Sequence, residues 1–228
     1  MQVNTVIFDM DGVLIDSEPY WEEAGSETMA EFGIVLTADQ YSTTTGLRTR
    51  EWIDFWFSYF HLDKRDAKTA ENMIVTKAMD KIRDHANPMP GVDYILEFFS
   101  ERNFTIGLAT SSPMQLIEVV VKKLKIKKFL KAFSSAEELL HSKPHPEVYL
   151  NCADNLSVSP LQCLCFEDSF NGMIAAKAAR MKCAIVPAPR QFDHPKWGSA
   201  DLKIPSLAHF DDSTLDSLCA TRETVPKG

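Results

Sequence analysis

The chain has few cysteines, and they follow no regular spacing. The sequence of 228 residues contains 5 cysteines, an odd number that leaves at least one unpaired. A disulfide framework of the kind that stabilises small secreted domains is therefore not expected. Cys163 and Cys165 lie two positions apart in the strand-like run 161–166, so we predict that both face the same side of a sheet. We interpret them as small buried core residues. A metal or redox role is the alternative.

The sequence also lacks long hydrophobic runs, a targeting segment and an excess of basic residues. No segment approaches the roughly 18 consecutive apolar residues of a membrane-spanning helix. The first four residues show no basic region followed by an apolar core. We therefore expect a cytoplasmic protein with no membrane partner.

The charge balance argues against nucleic acid as a partner. The formal net charge is -8, which disfavours general binding to a polyanion. The richest basic stretch, 122–131, interleaves its lysines with apolar residues. We interpret it as the solvated side of a helix and the turn that follows.

What is present is typical of a globular domain. Hydrophobic residues make up 45% and charged residues 25% of the chain. The length suits one large core, or a core with a smaller partner domain. Residues 3–9 resemble a buried strand, whereas 17–86 show helical periodicity without a clear strand. Within that block, the aromatic residues of 48–60 predict mainly a helix-bundle core.

After the breaker 87–91, rich in proline, strand and helix patterns alternate to about residue 187. Such alternation predicts an α/β fold with a doubly wound parallel sheet, similar to a Rossmann fold. The first strand belongs to this sheet, so the helical block interrupts it. We therefore predict a catalytic core of residues 1–16 plus 87–228 and an inserted all-α cap domain of residues 17–86. The tail beyond Ser217 carries little pattern, and we expect it to fray.

Two carboxylates follow the first strand. Asp9 should be fixed by the sheet, while Gly12 lets the chain turn and sends Asp11 in a different direction. Acids held in this way can divide the chemistry, with Asp9 attacking an electrophile and Asp11 moving a proton. The alternative is a structural ion site or an acidic turn.

Polar motifs follow the other predicted strands. Ligands of open parallel sheets bind at the carboxyl ends of the strands, where Thr110-Ser111 and Glu167-Asp168 are also expected. Thr110 and Ser111 suit an anion cradle at a helix start, although they also suit an ordinary cap. Lys143 lies in Ser142-Lys143-Pro144-His145-Pro146, where two prolines stiffen the backbone around it, and it could brace a phosphate and Asp9, although the default for a lysine is the surface.

The predicted cluster of acids requires a cation. Four carboxylates against Lys143 would repel a phosphate, because one like-charge pair at about 4 Å costs about 4 kcal/mol at an effective dielectric of 20. Oxygen ligands shared with phosphate favour Mg²⁺. We expect side-chain ligands from Asp9 and Asp168, with a backbone carbonyl from Asp11. Glu167 is either a further ligand or a supporting group.

The motifs Asp9-Met10-Asp11-Gly12-Val13, Thr110, Lys143-Pro144 and Glu167-Asp168 resemble those of the haloacid-dehalogenase-like hydrolase superfamily. The resemblance covers nearly the whole chain. Three further segments resemble bacterial phosphatases of 2-deoxyglucose 6-phosphate and hexitol phosphates, and they are 16–19, 142–150 and 167–181.

The resemblance implies a phosphoric monoester hydrolase that acts on a small phosphorylated sugar or sugar alcohol. Asp9 would form an aspartyl-phosphate, and Asp11 would protonate the leaving group and then activate water. The phosphate-binding residues would be Asp9, Met10, Asp11, Thr110, Ser111 and Lys143. From the cap, the candidates for substrate contact are Glu18, Trp21 and Arg48. We expect a monomer.

Two alternatives are retained. A β-phosphoglucomutase-like phosphosugar mutase shares these motifs, but such enzymes usually carry a cap histidine where this chain has Trp21. A phospho-aspartate signalling module also places acids, a threonine and a lysine around Mg²⁺. Such modules are typically shorter and have no helical insertion.

Overall fold

A six-stranded parallel sheet forms the centre of the fold. The computed structural model describes residues 3–219, and the sheet order is β3-β2-β1-β4-β5-β6. The strands are β1 (Thr5–Phe8), β2 (Thr105–Thr110), β3 (Ala132–Ser135), β4 (Cys163–Glu167), β5 (Lys182–Ile185) and β6 (Leu202–Lys203). Every neighbouring pair is parallel. The predicted α/β fold class is confirmed.

Helices cover both faces of the sheet. In chain order the helices are α1 (Glu18–Glu31), α2 (Ala38–Thr43), α3 (Thr49–Tyr59), α4 (Ala67–His85), α5 (Val92–Glu101), α6 (Met114–Leu124), α7 (Glu147–Asn155), α8 (Phe170–Ala178) and α9 (Asp212–Cys219). Of these, α5, α6, α7 and α8 pack against the strands. Strands β1 and β4 are wholly buried, as expected for strands packed on both faces. Cys163 and Cys165 share one buried cluster, so the prediction that they face the same side is confirmed.

Helices α1 to α4 fill the sequence between β1 and α5, and α1 packs against α4. Lys77 of α4 pairs with Glu31 of α1 at 2.9 Å, and Lys81 pairs with Glu23 at 2.8 Å. The aromatic side chains of α3 divide between two environments. Trp52, Trp56 and Phe57 are buried as predicted, whereas two aromatic side chains are exposed, namely Phe55 and Tyr59.

Short elements escaped the sequence analysis. Helix α2 has no buried residue, and β6 is only two residues long. Helix α9 continues to Cys219, so the expected fraying is wrong for residues 218–219, and the rest of that tail lies outside the described residues. Within residues 3–219, none of the helices combines the length and apolarity that a bilayer crossing requires.

The strand order creates a crevice beside β1. The chain passes from β1 to β2 on one side, whereas β4 joins β1 on the other. Loops that leave the carboxyl ends of these strands therefore diverge, and ligands bind in such a crevice. Asp9 follows β1, Thr110 ends β2 and Glu167 ends β4. The fold thus gathers the predicted motifs at one edge.

Candidate active site

The turn after β1 separates its two acids. The backbone N–H of Asp9 donates to the carbonyl oxygen of Phe166 at 2.9 Å, which extends the sheet pairing by one residue. Gly12 then adopts φ +72°, a left-handed conformation that side chains disfavour. The chain turns back on itself as Gly12 N–H donates to the carbonyl of Ile15. Asp9 is thereby held by the sheet, and Asp11 points elsewhere.

Lys143 is buried at the base of this turn, with 1% of its surface exposed. Its Nζ donates to Asp9 Oδ1 and to Glu167 Oε1, each at 2.6 Å. Burial would lower the pKa of this ammonium, but the charges of Asp9 and Glu167 and their hydrogen bonds raise it above its ordinary value. The surface default therefore does not apply, and Lys143 is a fixed positive charge beside Asp9.

Glu167 has all of its acceptor positions engaged. Besides Lys143, the hydroxyl of Tyr149 donates to Oε1 at 2.5 Å. Oε2 accepts from the backbone N–H of Asp168 at 3.1 Å and from both the N–H and the hydroxyl of Ser169, at 3.2 and 3.1 Å. This saturation makes Glu167 an anchor for Lys143 and for the loop after β4. It leaves little room for direct metal ligation.

Three acids form a cluster that can hold a cation. Carboxylate oxygens of Asp9, Glu167 and Asp168 lie within 4.8 Å of one another. At position 12, a Cβ would lie 2.2 Å from Asp168 Oδ2, so only glycine lets the turn approach this carboxylate. The donors are oxygens alone, as a hard cation such as Mg²⁺ prefers. The side chain of Asp11 lies outside the cluster, which leaves its backbone carbonyl as the group able to serve.

The electrostatics also fit a bound cation. Burial, reinforced by Glu167 and Asp11, raises the pKa of Asp9 even though Lys143 acts to lower it. Burial and the charges of Glu18, Glu167 and Asp9 raise the pKa of Asp168 in the same way. One lysine is thus insufficient to offset the acids, and a divalent cation would restore the balance.

Asp11 is held by hydroxyls and an indole. Its Oδ1 accepts from Ser17 Oγ at 2.7 Å and from Trp21 Nε1 at 3.0 Å. Its Oδ2 accepts from Thr110 Oγ1 at 3.1 Å and from Ser112 Oγ at 2.7 Å. Two of the donors follow β1, and the other two lie at the end of β2 and just after it. Both parts of the chain therefore fix the orientation of Asp11.

A cavity lies between the turn and the helices that follow β1. Its polar lining includes Asp9, Asp11, Thr110, Ser111 and Lys143, together with Asp168. Three aromatic side chains also line it, namely Trp21, Tyr41 and Trp52. Glu18 also reaches the cavity, and burial, followed by the charges of Asp11, Glu167 and Glu22, raises its pKa to about 8. The lining of the cavity thus combines acidic and aromatic side chains.

Two predicted residues do not reach the cavity with their side chains. The side chain of Met10 is fully buried in the core, so only its backbone can meet a phosphate oxygen. Arg48 turns away and donates to the backbone carbonyls of Ala136 and Leu139. The expectation that Arg48 contacts the substrate is therefore wrong for this arrangement, because its guanidinium is engaged by the core.

Several residues that hold Glu167 and Asp11 in place were not assigned this role from the sequence. Tyr149 carried no recognisable signal, because a tyrosine within a helix is usually a core residue. Ser17 and Ser112 each lie beside a motif, Ser17 before the first helix and Ser112 within the segment after β2. A search for hydroxyls beside the carboxylates would have found both.

Comparisons with known proteins agree with this geometry. A family model described as haloacid dehalogenase-like hydrolase matches residues 6–186. Hexitol phosphatase B of Escherichia coli (strain K12) is 38% identical over 215 residues, which cover 94% of this chain and 97% of that protein. A phosphorylated carbohydrates phosphatase of Thermotoga maritima is 29% identical over 177 residues, covering 78% of this chain and 82% of that protein.

The fold is shared with solved structures. The β-phosphoglucomutase of Clostridium difficile superposes with a TM-score of 0.84, covering 95% of this chain and 96% of that one. Its sequence identity is 22%, so this likeness concerns the fold alone.

Proposed function

Because the chain belongs to the haloacid dehalogenase-like hydrolase family, we propose that it is a Mg²⁺-dependent phosphatase of small sugar phosphates that works through an aspartyl-phosphate. The predicted enzyme class, phosphoric monoester hydrolase, is confirmed. The observation that carries the proposal is the buried contact of Lys143 with Asp9, 2.6 Å apart, at the floor of the cavity. The contact supports the proposal because a carboxylate proposed as the nucleophile lies beside a fixed positive charge.

The residues divide the reaction as follows. Asp9 attacks phosphorus, and the bond to the sugar oxygen breaks as the aspartyl-phosphate forms. Asp11 gives a proton to the leaving oxygen and then takes one from the water that attacks the intermediate. Lys143 stabilises charge on the phosphoryl oxygens, while Thr110 and Ser111 orient them. This is mainly positioning and electrostatics, as phosphoryl transfer requires.

The acids fit Mg²⁺ held by the side chains of Asp9 and Asp168 and the carbonyl of Asp11. When bound, the ion neutralises charge on the phosphate and on the surrounding carboxylates. Glu167 acts one step away, because its five donors, of which Lys143 is one, fix the loop that carries Asp168 and the lysine that contacts Asp9.

The lining of the cavity supports a polyol as the rest of the substrate. Three threonines face it beside the aromatic rings, namely Thr44, Thr45 and Thr49. Hydroxyls can exchange hydrogen bonds with a sugar, and aromatic faces pack on its C–H groups. We propose 2-deoxyglucose 6-phosphate and hexitol phosphates as substrates. The similarity to hexitol phosphatase B and to a phosphorylated carbohydrates phosphatase supports this class.

A phosphosugar mutase is the second candidate, because one solved structure with this fold is a β-phosphoglucomutase. Against it stands Trp21, whose indole N–H contacts Asp11 where those mutases usually carry a histidine. An indole donates a hydrogen bond but has no lone pair with which to relay a proton. The contact therefore favours hydrolysis. Detection of isomerised sugar phosphate in place of free phosphate would favour the mutase.

The test is release of phosphate from a panel of phosphorylated metabolites with Mg²⁺, compared by kcat/KM. Asp9→Asn should abolish turnover and leave the thermal unfolding transition in place, because the nucleophile is lost and its volume is kept. The exposed Asp154→Asn is the matched control and should keep full activity. Full activity of Asp9→Asn would refute the assigned nucleophile.

Other features of the proposal concern the whole protein. We propose that residues 17–86 form a cap domain that closes over the sugar, on a core of residues 1–16 and 87–228. A cytoplasmic location, a monomeric state and the absence of nucleic-acid and membrane partners stay predictions.

A further inference from the structure

Arg48 connects the helical region after β1 with a distant loop of the core. It immediately precedes α3, yet its Nη1 donates to the carbonyl oxygens of Ala136 at 2.7 Å and Leu139 at 2.8 Å, with a longer contact to Glu137 at 3.3 Å. The side chain is only 12% exposed. These carbonyls belong to the loop that begins directly after β3. The guanidinium thus occupies a built position among backbone acceptors.

Glu51 extends this connection toward the active site. Its Oε1 accepts from Arg48 Nη2 at 3.1 Å and from the backbone N–H of Ser142 at 3.2 Å. Ser142 immediately precedes Lys143. Arg48 and Glu51 therefore hold both ends of the loop 136–142, which leads into the lysine that contacts Asp9.

A second set of contacts supports the same loop. The hydroxyl of Ser111 donates to the carbonyl oxygen of Gly46 at 3.0 Å, and it shares a hydrogen bond with the Ser142 hydroxyl at 3.1 Å. Gly46 itself approaches the core so closely that a Cβ there would lie 2.5 Å from Ser169 Oγ. Ser142 is thus fastened through both its backbone and its side chain.

The engagement of Arg48 leaves the cavity with little positive charge. Lys143 is the one lysine or arginine among the described residues that line it, whereas Asp9, Asp11, Glu18 and Asp168 are also present. Lys143 already lies at the floor, where the transferred phosphate must bind. A second phosphate elsewhere in the cavity would be buried without a counter-charge, which is strongly unfavourable.

We propose that Arg48 and Glu51 form a clasp that positions the Lys143 loop, and that the site consequently accepts monophosphates whose remaining part is uncharged. Arg48 is a positioning residue that acts through Ser142 and Lys143. Its planar fork directs Nη1 to two carbonyls and Nη2 to a carboxylate, a geometry that the single nitrogen of a lysine does not reproduce. The specificity part rests on the proposed function, whereas the clasp rests on the contacts alone.

Hydrogen–deuterium exchange of the full-length protein tests the clasp without turnover. In Arg48→Met, we expect exchange of the amides of residues 137–142 to accelerate about tenfold, because the contacts that hold the loop are lost. Glu51→Gln should likewise raise the exchange rate of the Ser142 amide. The control is Arg50→Met, which removes an exposed arginine of α3. It should leave the exchange rates of residues 137–142 unchanged. Unchanged exchange in both clasp variants would overturn the proposal.

Kinetics distinguish a clasp from a substrate contact. Arg48→Met should lower kcat/KM by a similar factor, about tenfold, for a hexitol 6-phosphate and for phenyl phosphate, because Lys143 serves both. A loss confined to the hexitol phosphate, with phenyl phosphate unaffected, would mean that Arg48 contacts the sugar and would overturn the assigned role. Should Arg48→Met not fold, Glu51→Gln makes the same comparison.

Binding to Asp9→Asn tests the consequence for specificity. We expect a hexose 1,6-bisphosphate to bind no more tightly than the corresponding 6-phosphate in isothermal titration with Mg²⁺. Binding more than about tenfold tighter would reveal a second phosphate site and overturn the specificity part. If the loop responds to Arg48→Met but no sugar phosphate is hydrolysed, the proposed function fails while the clasp stands.

Discussion

At the scale of single residues, Asp11 is held by four donors from two parts of the chain. A carboxylate has about four acceptor positions, and Asp11 uses two on each oxygen in contacts with Ser17, Trp21, Thr110 and Ser112. Every donor therefore influences where Asp11 can deliver a proton. Trp21 is the donor that also belongs to the aromatic lining of the cavity. It links the position of the substrate to the orientation of the acid.

Trp21→Phe should reveal this link through its dependence on the leaving group. The change keeps an aromatic ring and removes the N–H donor, so Asp11 is less well oriented toward the leaving oxygen. We expect kcat to fall about tenfold for a hexitol phosphate, whose alkoxide must be protonated, and less than about twofold for 4-nitrophenyl phosphate. The measurement is kcat for the two substrates.

Trp56→Phe is the control for that experiment. Trp56 is buried among the same helices, and its indole N–H has no partner in the described residues. This variant should affect stability without selecting between the substrates. An equal fall of kcat for both substrates in Trp21→Phe would contradict the assignment.

At the scale of elements, the turn after β1 determines how closely the acids approach. Gly12 and Gly33 have nearly the same backbone angle, φ +72° and +75°, but different surroundings. A Cβ at Gly33 would meet nothing within 4 Å, whereas at Gly12 it would meet Asp168 Oδ2 at 2.2 Å. Substitutions at these two glycines therefore distinguish the cost of a strained backbone from the effect of displacing Asp168.

Gly12→Ala should lose activity and need more Mg²⁺, because Asp168 must move out of the cluster. We expect kcat/KM to fall by at least about a hundredfold, a typical loss when a small displacement disrupts catalytic positioning. Gly33→Ala should lose only about 1 kcal/mol of stability from its left-handed conformation and keep its Mg²⁺ dependence. The measurements are kcat/KM as a function of Mg²⁺ and chemical denaturation. If Gly12→Ala and Gly33→Ala showed the same kcat/KM and the same Mg²⁺ dependence, displacement of Asp168 would not be the cause of the effect at Gly12.

The elements also explain what could be predicted from sequence. The ends of β1, β2 and β4 could be predicted from the sequence, because buried strands carry continuous apolar runs and parallel strands end at one edge. Asp9, Thr110 and Glu167 follow from that rule. Helix α2 was missed although Thr37 and Gln40 form a capping box, since its short sequence has no apolar face.

The direction in which long side chains point was harder to predict from the sequence. Arg48 was expected at the substrate, but its guanidinium reaches carbonyls that lie 88 and 91 residues further along the chain. Lys143 belongs to a residue type that is usually exposed, and only the pairing of β1 with β4 brings Asp9 and Glu167 to it. Such contacts depend on how elements pack, which local patterns do not encode.

At the scale of the whole molecule, the fold concentrates negative charge from three parts of the chain. Asp9 follows β1, Asp168 follows β4, and Glu18 begins the first helix after the turn. Each of the three carboxyls has a raised pKa, because burial and the neighbouring acids disfavour its charged form. The metal-free protein is therefore under electrostatic stress at neutral pH, and cation binding should relieve it.

This stress predicts how stability depends on pH. Burial and the charges of Asp11, Glu167 and Glu22 raise the pKa of Glu18 from 4.5 to about 8. Between these values the folded chain binds more protons than the unfolded chain, so the free energy of unfolding falls as pH rises. The contribution of Glu18 is fully present below its unfolded pKa and is lost as pH passes its folded pKa. The raised pKa values of Asp9 and Asp168 act in the same direction.

We therefore expect the Tm of the protein in EDTA to fall between about pH 5 and pH 8.5, and the fall to be shallower in Mg²⁺, which binds the folded chain and offsets the charge. Glu18→Gln should reduce the slope in EDTA, because it removes one of the three titrations. Glu97→Gln, on exposed residue 97 of α5, provides the comparison and should leave the slope unchanged. A Tm in EDTA that is flat or rises over this range would contradict the charge balance, because the acids would then already be neutralised by groups of the chain itself.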